Sequence, residues 1–506
     1  MSHRPDRLSV INELGRRRTL PEGPEHHHAI GRGQGALLLL GLGPDPAGAT
    51  GPDDTGRTIY YVEAPEFKAQ MPASWTESIP GHYTELDPEA AEAMAAEAEV
   101  RLWWPGMRLF PSFWGPVAAR CRWRKITVAD SPAPERCVVV PASRDDLLAP
   151  EVCAAFAEAG MDVRPLSPGT LGQSLPFLLK DHRPELLFSI NGKGLDPYGE
   201  VFHLLEAAGV TVVIWCVDNP FNLFSGLHSP FWKRARICVT DASFLDPLRE
   251  HGARHVLHLP LAAWPGMFED AAPCHERGLE DRLVFVGRSA FPGRDRFFAG
   301  CQVPEDLAGR AADMLRRGRR PDFHWWRRKL EIQALWPGKD MRRAGHGAAR
   351  TSLAWRAACL RACAGLPLTV YGDQGWLAHL EDLIPDIDLR DPVDYYGPLA
   401  GIYARAGAVL NATGMLMSEA LTQRHFDVWA AGGFLLTDRT PGLKLFPREL
   451  TDPVCYERPE DIAPLARRWL GDEAGRLQLS AAWQQHVLAE HTYARRMAAV
   501  LDWLAS

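Results

Sequence analysis

Nothing in the sequence approaches the roughly 18–20 consecutive apolar residues of a membrane-spanning helix. The longest early run, Ala36 to Leu40, follows a polar start, so neither a signal peptide nor a membrane anchor is expected. Patterned cysteine is also missing. The chain has 10 cysteines in 506 residues, and Cys359 and Cys363, four apart, share a helix face without making a Cys-x-x-Cys motif. That spacing excludes the usual zinc modules and fits free thiols in a reducing, cytoplasmic compartment. His26-His27-His28 has no second ligand cluster nearby and reads as a solvated loop. Excess positive charge is absent too: 56 basic against 63 acidic residues give a net charge of −7. Nucleic acid is therefore not an expected partner. No Asp-x-Asp of a metal-binding kind closes an apolar strand. What is present is an ordinary globular composition, with 46% hydrophobic and 24% charged residues.

At this length two or more domains are expected, because single cores stop growing near roughly 250–300 residues. Residues 1–34, rich in Arg, Gly, Pro and His, read as a mobile tail. An N-terminal α/β domain is expected over 35–265. It opens on a buried strand at 36–40. Leu102-Trp103-Trp104 and the Trp/Pro-dense stretch after it read as a packing flap, with an aromatic sugar platform as the less favoured alternative. From residue 137 strands and helices alternate regularly. One strand, 186–190, ends at Asn191-Gly192-Lys193-Gly194, and another, 210–217, ends at Asp218-Asn219-Pro220. After a Pro-rich linker at 260–281 the rhythm resumes in a C-terminal α/β domain, 280–490. Strand 283–286 runs into Gly287-Arg288-Ser289-Ala290-Phe291-Pro292-Gly293-Arg294, and a later strand ends at Asn411-Ala412-Thr413-Gly414. The intervening 295–364 is helical and Arg/Trp-rich, and its charges read as a solvated face. A last helix, within 491–506, is placed where it can pack back on the N-terminal domain. The fold class is α/β: two tandem doubly wound, Rossmann-like domains facing across a cleft, closed by C-terminal helices.

Ligands of such sheets bind at the carboxyl ends of the strands. The stretch from Glu419 to Asp438 reads as a polar loop, a helix, the Gly432-Gly433 turn and a buried strand. Glu419, Gln423, Arg424, His425 and Asp427 crowd the helix start, a setting for an anionic or hydroxyl-rich ligand. The Gly287–Arg294 loop offers Arg288 or Arg294 as countercharge to a diphosphate. On the N-terminal side Asn191 and Lys193 are acceptor-side candidates. Asp218 reads equally as a general base or as the cap of the turn before Pro220.

Several of these segments together resemble a known family. They are Tyr395-Tyr396-Gly397-Pro398-Leu399, the Asn411-Ala412-Thr413 strand end, Arg424-His425-Phe426-Asp427, Gly432-Gly433-Phe434-Leu435-Leu436 and His491-Thr492-Tyr493-Ala494-Arg495-Arg496. The set resembles the CgeB-like group of GT-B glycosyltransferases. Ser189-Ile190-Asn191-Gly192 and Ile214 to Pro220 resemble the uncharacterised domain that often precedes it. The resemblance, over roughly 180–504, implies a hexosyltransferase-like enzyme. Its C-terminal domain would hold a nucleotide-sugar and its N-terminal domain a glycan or protein acceptor. It implies donor contacts from Gly287, Arg288, Arg294, Asn411, Thr413, Gly414, Arg424, His425 and Asp427. It implies Glu419 near the sugar and Asp427 on the ribose, as a Glu-x7-Asp pair, with Arg424 on the diphosphate. It also implies no cofactor and no metal. Asp218 as base suits inversion, whereas Glu-x7-Asp leans toward retention. Peripheral membrane contact stays open. A non-catalytic nucleotide-sugar-binding or scaffold protein is the alternative, and a nucleotide-sugar epimerase a third reading.

Overall fold

The computed structural model describes residues 8–126, 134–143, 146–269, 276–383 and 387–506. It contains two six-stranded sheets in which every pairing is parallel. The C-terminal sheet runs Ile387–Arg390, Leu368–Tyr371, Leu283–Val286, Ala408–Asn411, Leu435–Asp438 and Cys455–Tyr456. In units of its own strands the order is 3-2-1-4-5-6, the dinucleotide-fold order, so the chain reverses direction across the sheet between Leu283–Val286 and Ala408–Asn411. The middle sheet runs Asp162–Leu166, Pro134–Pro141, Arg183–Ile190, Thr211–Cys216, Arg236–Val239 and His255–His258, the order 2-1-3-4-5-6. Its switch point lies between Pro134–Pro141 and Arg183–Ile190. The inner strands are apolar along most of their length because both faces are covered, whereas the edge strands Asp162–Leu166, His255–His258 and Ile387–Arg390 carry polar residues and are half-exposed.

The single domain expected over 35–265 divides in two. His27–Gly31, Glu99–Trp103, Leu37–Leu40, Ile59–Val62 and Tyr83–Glu85 form a separate five-stranded sheet with its own core, built on Leu37 to Leu40, Phe67, Trp103 and Trp114. Its edge strand, His27–Gly31, pairs antiparallel with Glu99–Trp103. Residues 8–31 of the expected tail are thus drawn into structure, with Ser9–Ile11 and Arg17–Thr19 pairing as well. The composition of that stretch is polar because its strands lie at edges. The His26-His27-His28 run is structural here. His27 Nε2 lies 3.1 Å from Gly41 O, burial pushes its pKa down to about 4, and His28 stacks on Trp104.

One apolar core runs without a break from the middle sheet into the C-terminal domain. The join is made by the Arg/Trp-rich segment, whose face is not simply solvated: Trp325 is 9% and Trp326 1% exposed. Phe323 meets Phe244 at 5.5 Å between ring centroids, and Trp336 meets Trp232 at 6.0 Å. Arg342 Nε donates to Ser225 Oγ at 2.8 Å. Trp326 lies against Gly347 of helix Met341–Arg361, where a Cβ would stand 2.3 Å from Trp326 Cδ2. Gly347→Ala is therefore expected to destabilise the protein by about 1–3 kcal/mol through overpacking. Denaturant unfolding measures this, and an unchanged midpoint would contradict the packing account.

The other face of the middle sheet is covered by helix Ala149–Glu158 and the C-terminal helix Tyr493–Ala505, which places Tyr493, Met497 and Val500 in that core. Among the described residues no helix is long and apolar enough to cross a membrane.

Candidate active site

The carboxyl ends of the two six-stranded sheets meet at a cavity of about 740 Å³. Six sequence candidates line it together: Asn191, Lys193 and Asp218 from the middle domain, and Gly287, Arg424 and Asp427 from the C-terminal domain. Both topological switch points open here, which is where α/β sheets leave a crevice.

On the C-terminal wall Arg424 begins the two-turn helix Arg424–Ala430. Its Nε donates to Val286 O at 2.9 Å and its Nη1 to Asn411 Oδ1 at 3.0 Å. The guanidinium thereby bridges the ends of the two strands that flank the switch point. It also lies over the Phe285 ring, 5.6 Å from the centroid. Gly287 makes room for it, since a Cβ there would stand 2.9 Å from Arg424 Nη2. A second cation, Arg356 of helix Met341–Arg361, lies over Phe285 and Trp376 and donates to Arg288 O. Burial and then the Arg424 charge push its pKa down to about 10. Neither arginine forms an ion pair with a described carboxylate. Two cations close enough for Arg424 to lower the pKa of Arg356, neither in an ion pair with a described carboxylate, favour an anionic ligand. Nothing local marks Arg356, one of several arginines on a long helix.

The opposite wall is built on Asn191, which takes the left-handed region at φ 57°. Its Oδ1 accepts from the amides of Val217 and Asp218 at 2.9 and 3.2 Å, and its Nδ2 donates to Asp218 Oδ2 at 2.8 Å. Asp218 is exposed at the cavity surface yet ringed by protein, and burial raises its pKa while the Asn191 donor works against the rise. It does not cap the Pro220 turn; Asn219 does, accepting from the amides of Phe221 and Asn222. Lys193 pairs with Asp146 at 2.9 Å across the middle sheet's switch point.

Asp427 reaches the cavity but is 1% exposed, and both its oxygens are engaged. Tyr395 OH donates to Oδ2 and Gln423 Nε2 to Oδ1, each at 2.8 Å. Gln423 Oε1 in turn accepts from Tyr493 OH at 2.9 Å, and its Nε2 also donates to Ala262 O. The His491-to-Arg496 motif thus acts as a brace. It fixes the 260–263 crossover through two backbone bonds, the Ala263 amide donating to His491 O and the Tyr493 amide to Ala263 O, and reaches the cavity wall by way of Gln423. Burial pushes Asp427 up to about 7, and Glu151 up to about 7, where Tyr396 OH donates to Oε2 at 2.7 Å and Oε1 has no partner.

A carboxyl whose native pKa is raised holds its proton in the folded state after the unfolded chain has lost it. Stability from Asp427 is therefore full below 3.8 and is lost as pH rises from there through about 7. Denaturant titration across that window should show stability falling. Asp427→Asn should flatten the fall, and an equal slope in both proteins would contradict the assignment.

Seven other candidates stand elsewhere. Glu419 lines a separate cavity of about 270 Å³ with His258 and Lys444, and its amide donates to Asp241 Oδ2. The helix starts only at Arg424, so Glu419 lies in a loop and the Glu-x7-Asp spacing does not bring its ends to one site. His425 is buried within the C-terminal domain, accepting at Nδ1 from the Thr422 amide and donating from Nε2 to Thr437 Oγ1. Burial pushes its pKa down to about 4, so it is neutral. Asn411 and Thr413 surround the buried Asp438, which accepts from the Thr413 amide and hydroxyl and pairs with Arg320 at 2.6 Å. They act on the cavity through Asn411 Oδ1, which holds Arg424. Gly414 faces Ser352. The side chains of Arg288 and Arg294 stay on the surface loop outside the cavity lining, with Arg294 3.7 Å from Asp295. A carboxylate closing an apolar strand was the one signal that could have marked Asp438, as it marked Asp218. Among the described residues no three His, Cys, Asp or Glu side chains are grouped to hold a metal.

The model of a glycosyl transferase-like family matches residues 350–502, which include Arg356, Arg424 and Asp427. The chain has no match among curated proteins. Solved structures with a similar outline share little sequence. One is an S. aureus TarM variant in complex with fondaparinux, alpha-GlcNAc-glycerol and UDP, at 10% identity and a TM-score of 0.39. The match covers 67% of this chain and 59% of that one, so this chain spans under two thirds of the TarM variant's length. A second is Anabaena HepE in complex with UDP, at 7% identity, covering 73% and 99%, with a TM-score of 0.41. A third is a UDP-forming alpha,alpha-trehalose-phosphate synthase from Burkholderia xenovorans, at 11% identity, covering 94% and 99%, with a TM-score of 0.37.

Proposed function

We propose that this protein is a metal-independent glycosyltransferase that moves a sugar from a nucleotide-sugar to a glycan or protein hydroxyl in the cavity between its two six-stranded domains. The observation that carries the reading is Arg424, held by strand-end oxygens at one switch point with Arg356 sharing its Phe285 support, and facing Asp218 across the cavity. As the bond from the sugar to the diphosphate breaks, charge grows on the departing oxygen. Guanidinium groups held on strand ends before the reaction stabilise that charge without reorganisation. Asp218 takes the proton of the acceptor hydroxyl as its oxygen forms the new bond to the sugar. The cations supply the countercharge that a metal supplies elsewhere, which supports metal independence.

Titration with UDP, GDP and dTDP, read by melting temperature, tests the donor half. A ligand that binds the native state alone, at about a hundred times its Kd, stabilises by about 2.7 kcal/mol. A rise with at least one nucleotide, unchanged by a chelator, is expected. No rise with any of them would contradict the proposal. The position of Glu419, outside the cavity, favours one second reading, a binding or scaffold protein that holds the donor without turnover. Release of nucleotide with transfer to an acceptor would exclude it.

A further inference from the structure

A second large cavity lies between the N-terminal five-stranded sheet and the middle domain, about 540 Å³ in volume. We propose that it is a subsite for a neutral, hydroxyl-rich chain, an extended saccharide whose end lies in the cavity between the domains. This rests on the transferase reading above.

Three observations carry it. First, one loop separates the two cavities. Asn191 and Lys193 face the interdomain cavity, while Gly194, Leu195 and Asp196 face the second. At about 3.8 Å per residue, the wall between them is on the order of 10 Å of chain. A linear acceptor held at Asp218 can therefore continue over this loop. Second, the lining combines an aromatic ring with hydroxyl partners. Trp104 forms part of the wall and is held by parallel stacking on His28 at 5.9 Å. Such a ring offers an apolar face to a sugar's C–H groups. Gln173, Asp196, Glu200 and Arg122 supply donors and acceptors around it. Third, the charges disfavour an anionic ligand. Among the described residues Arg122 is the one lining cation, against Asp196 and Glu200, and it lies 3.6 Å from Glu200. The amide of Val201, at the start of helix Glu200–Ala207, already donates to Asp196 Oδ2 at 2.9 Å. Burial and the nearby Asp196 push Glu200 up to about 7, which lets its carboxyl donate as well as accept.

Gly172 gives a clean test. It lines this cavity, and a Cβ there would meet nothing closer than Val201 Cγ2 at 3.6 Å, so a larger side chain fills open space instead of displacing the fold. Chitohexaose and maltohexaose are titrated by calorimetry into the full chain, Gly172→Leu and Trp104→Ala, with UDP, GDP and dTDP titrated into the same samples. The wild type is expected to bind at least one hexaose. Each variant should weaken that binding at least tenfold, with nucleotide affinity changed less than twofold. Absence of hexaose binding, or binding that neither variant alters, overturns the subsite. Nucleotide binding without hexaose binding would sink the subsite alone. Hexaose binding lost in both variants, in a protein that binds no nucleotide, would leave the subsite standing and remove the donor reading.

Discussion

Arg424→Ala should lower transfer by about a hundredfold to a thousandfold, the usual loss when one preorganised donor to a developing oxyanion is removed. The side chain is fixed before any ligand arrives. Val286 O and Asn411 Oδ1 hold its nitrogens, and Phe285 supports its plane. Lysine offers a point charge on a flexible stem and cannot bridge both oxygens, so Arg424→Lys should recover only a small part of the loss. Because Arg424 also ties two strand ends together, melting temperature must be measured beside activity. A variant that stays folded and loses nucleotide affinity supports the account. A folded variant with wild-type affinity and turnover contradicts it. Arg356→Ala should weaken nucleotide binding in the same direction, since it removes the second cation of the pair.

Asp218→Asn should lower kcat by about a hundredfold to ten-thousandfold, the range of a lost general base, with donor KM little changed. The reactive form is the carboxylate, so activity rises with pH through its native pKa. Burial shifts that limb upward from the ordinary aspartate value. Asn191 donates to Asp218 and favours the charged form, so Asn191→Ala should move the limb to still higher pH. A base here also predicts a product of inverted anomeric configuration. Retention, together with near wild-type turnover in Asp218→Asn, would contradict the role.

Much of the two six-stranded domains was legible in the sequence, for a physical reason. Strands buried on both faces read as short apolar runs, and the polar residues that close them stand out: Asn191, Asp218, Gly287, Asn411. The same reasoning marked the strand ends that face the cavity. It failed where a residue's place depends on a distant element. Arg356 approaches Arg424 over the Phe285 ring from the C-terminal part of a 21-residue helix, and nothing local distinguishes it. Glu419 rested on the Glu-x7-Asp pair that the resemblance implied, and its loop, five residues before the helix, turns it toward a different cavity. His425 and Thr413 carry polar groups that satisfy one another inside the domain. Composition cannot tell such a network from a binding surface. The N-terminal sheet was missed because its edge strand, His27–Gly31, is polar and pairs with a strand some seventy residues away.

The central claim is that a nucleotide-sugar lies between the two switch points, against Arg424 and Arg356. Hydrogen exchange on the full-length protein, with and without saturating UDP, GDP or dTDP, tests it most directly. The account predicts protection at residues 286–289 and 423–427, at the strand end and helix start that carry the site. No protection by any nucleotide, or protection confined to the Glu419 and Lys444 cavity, would contradict it.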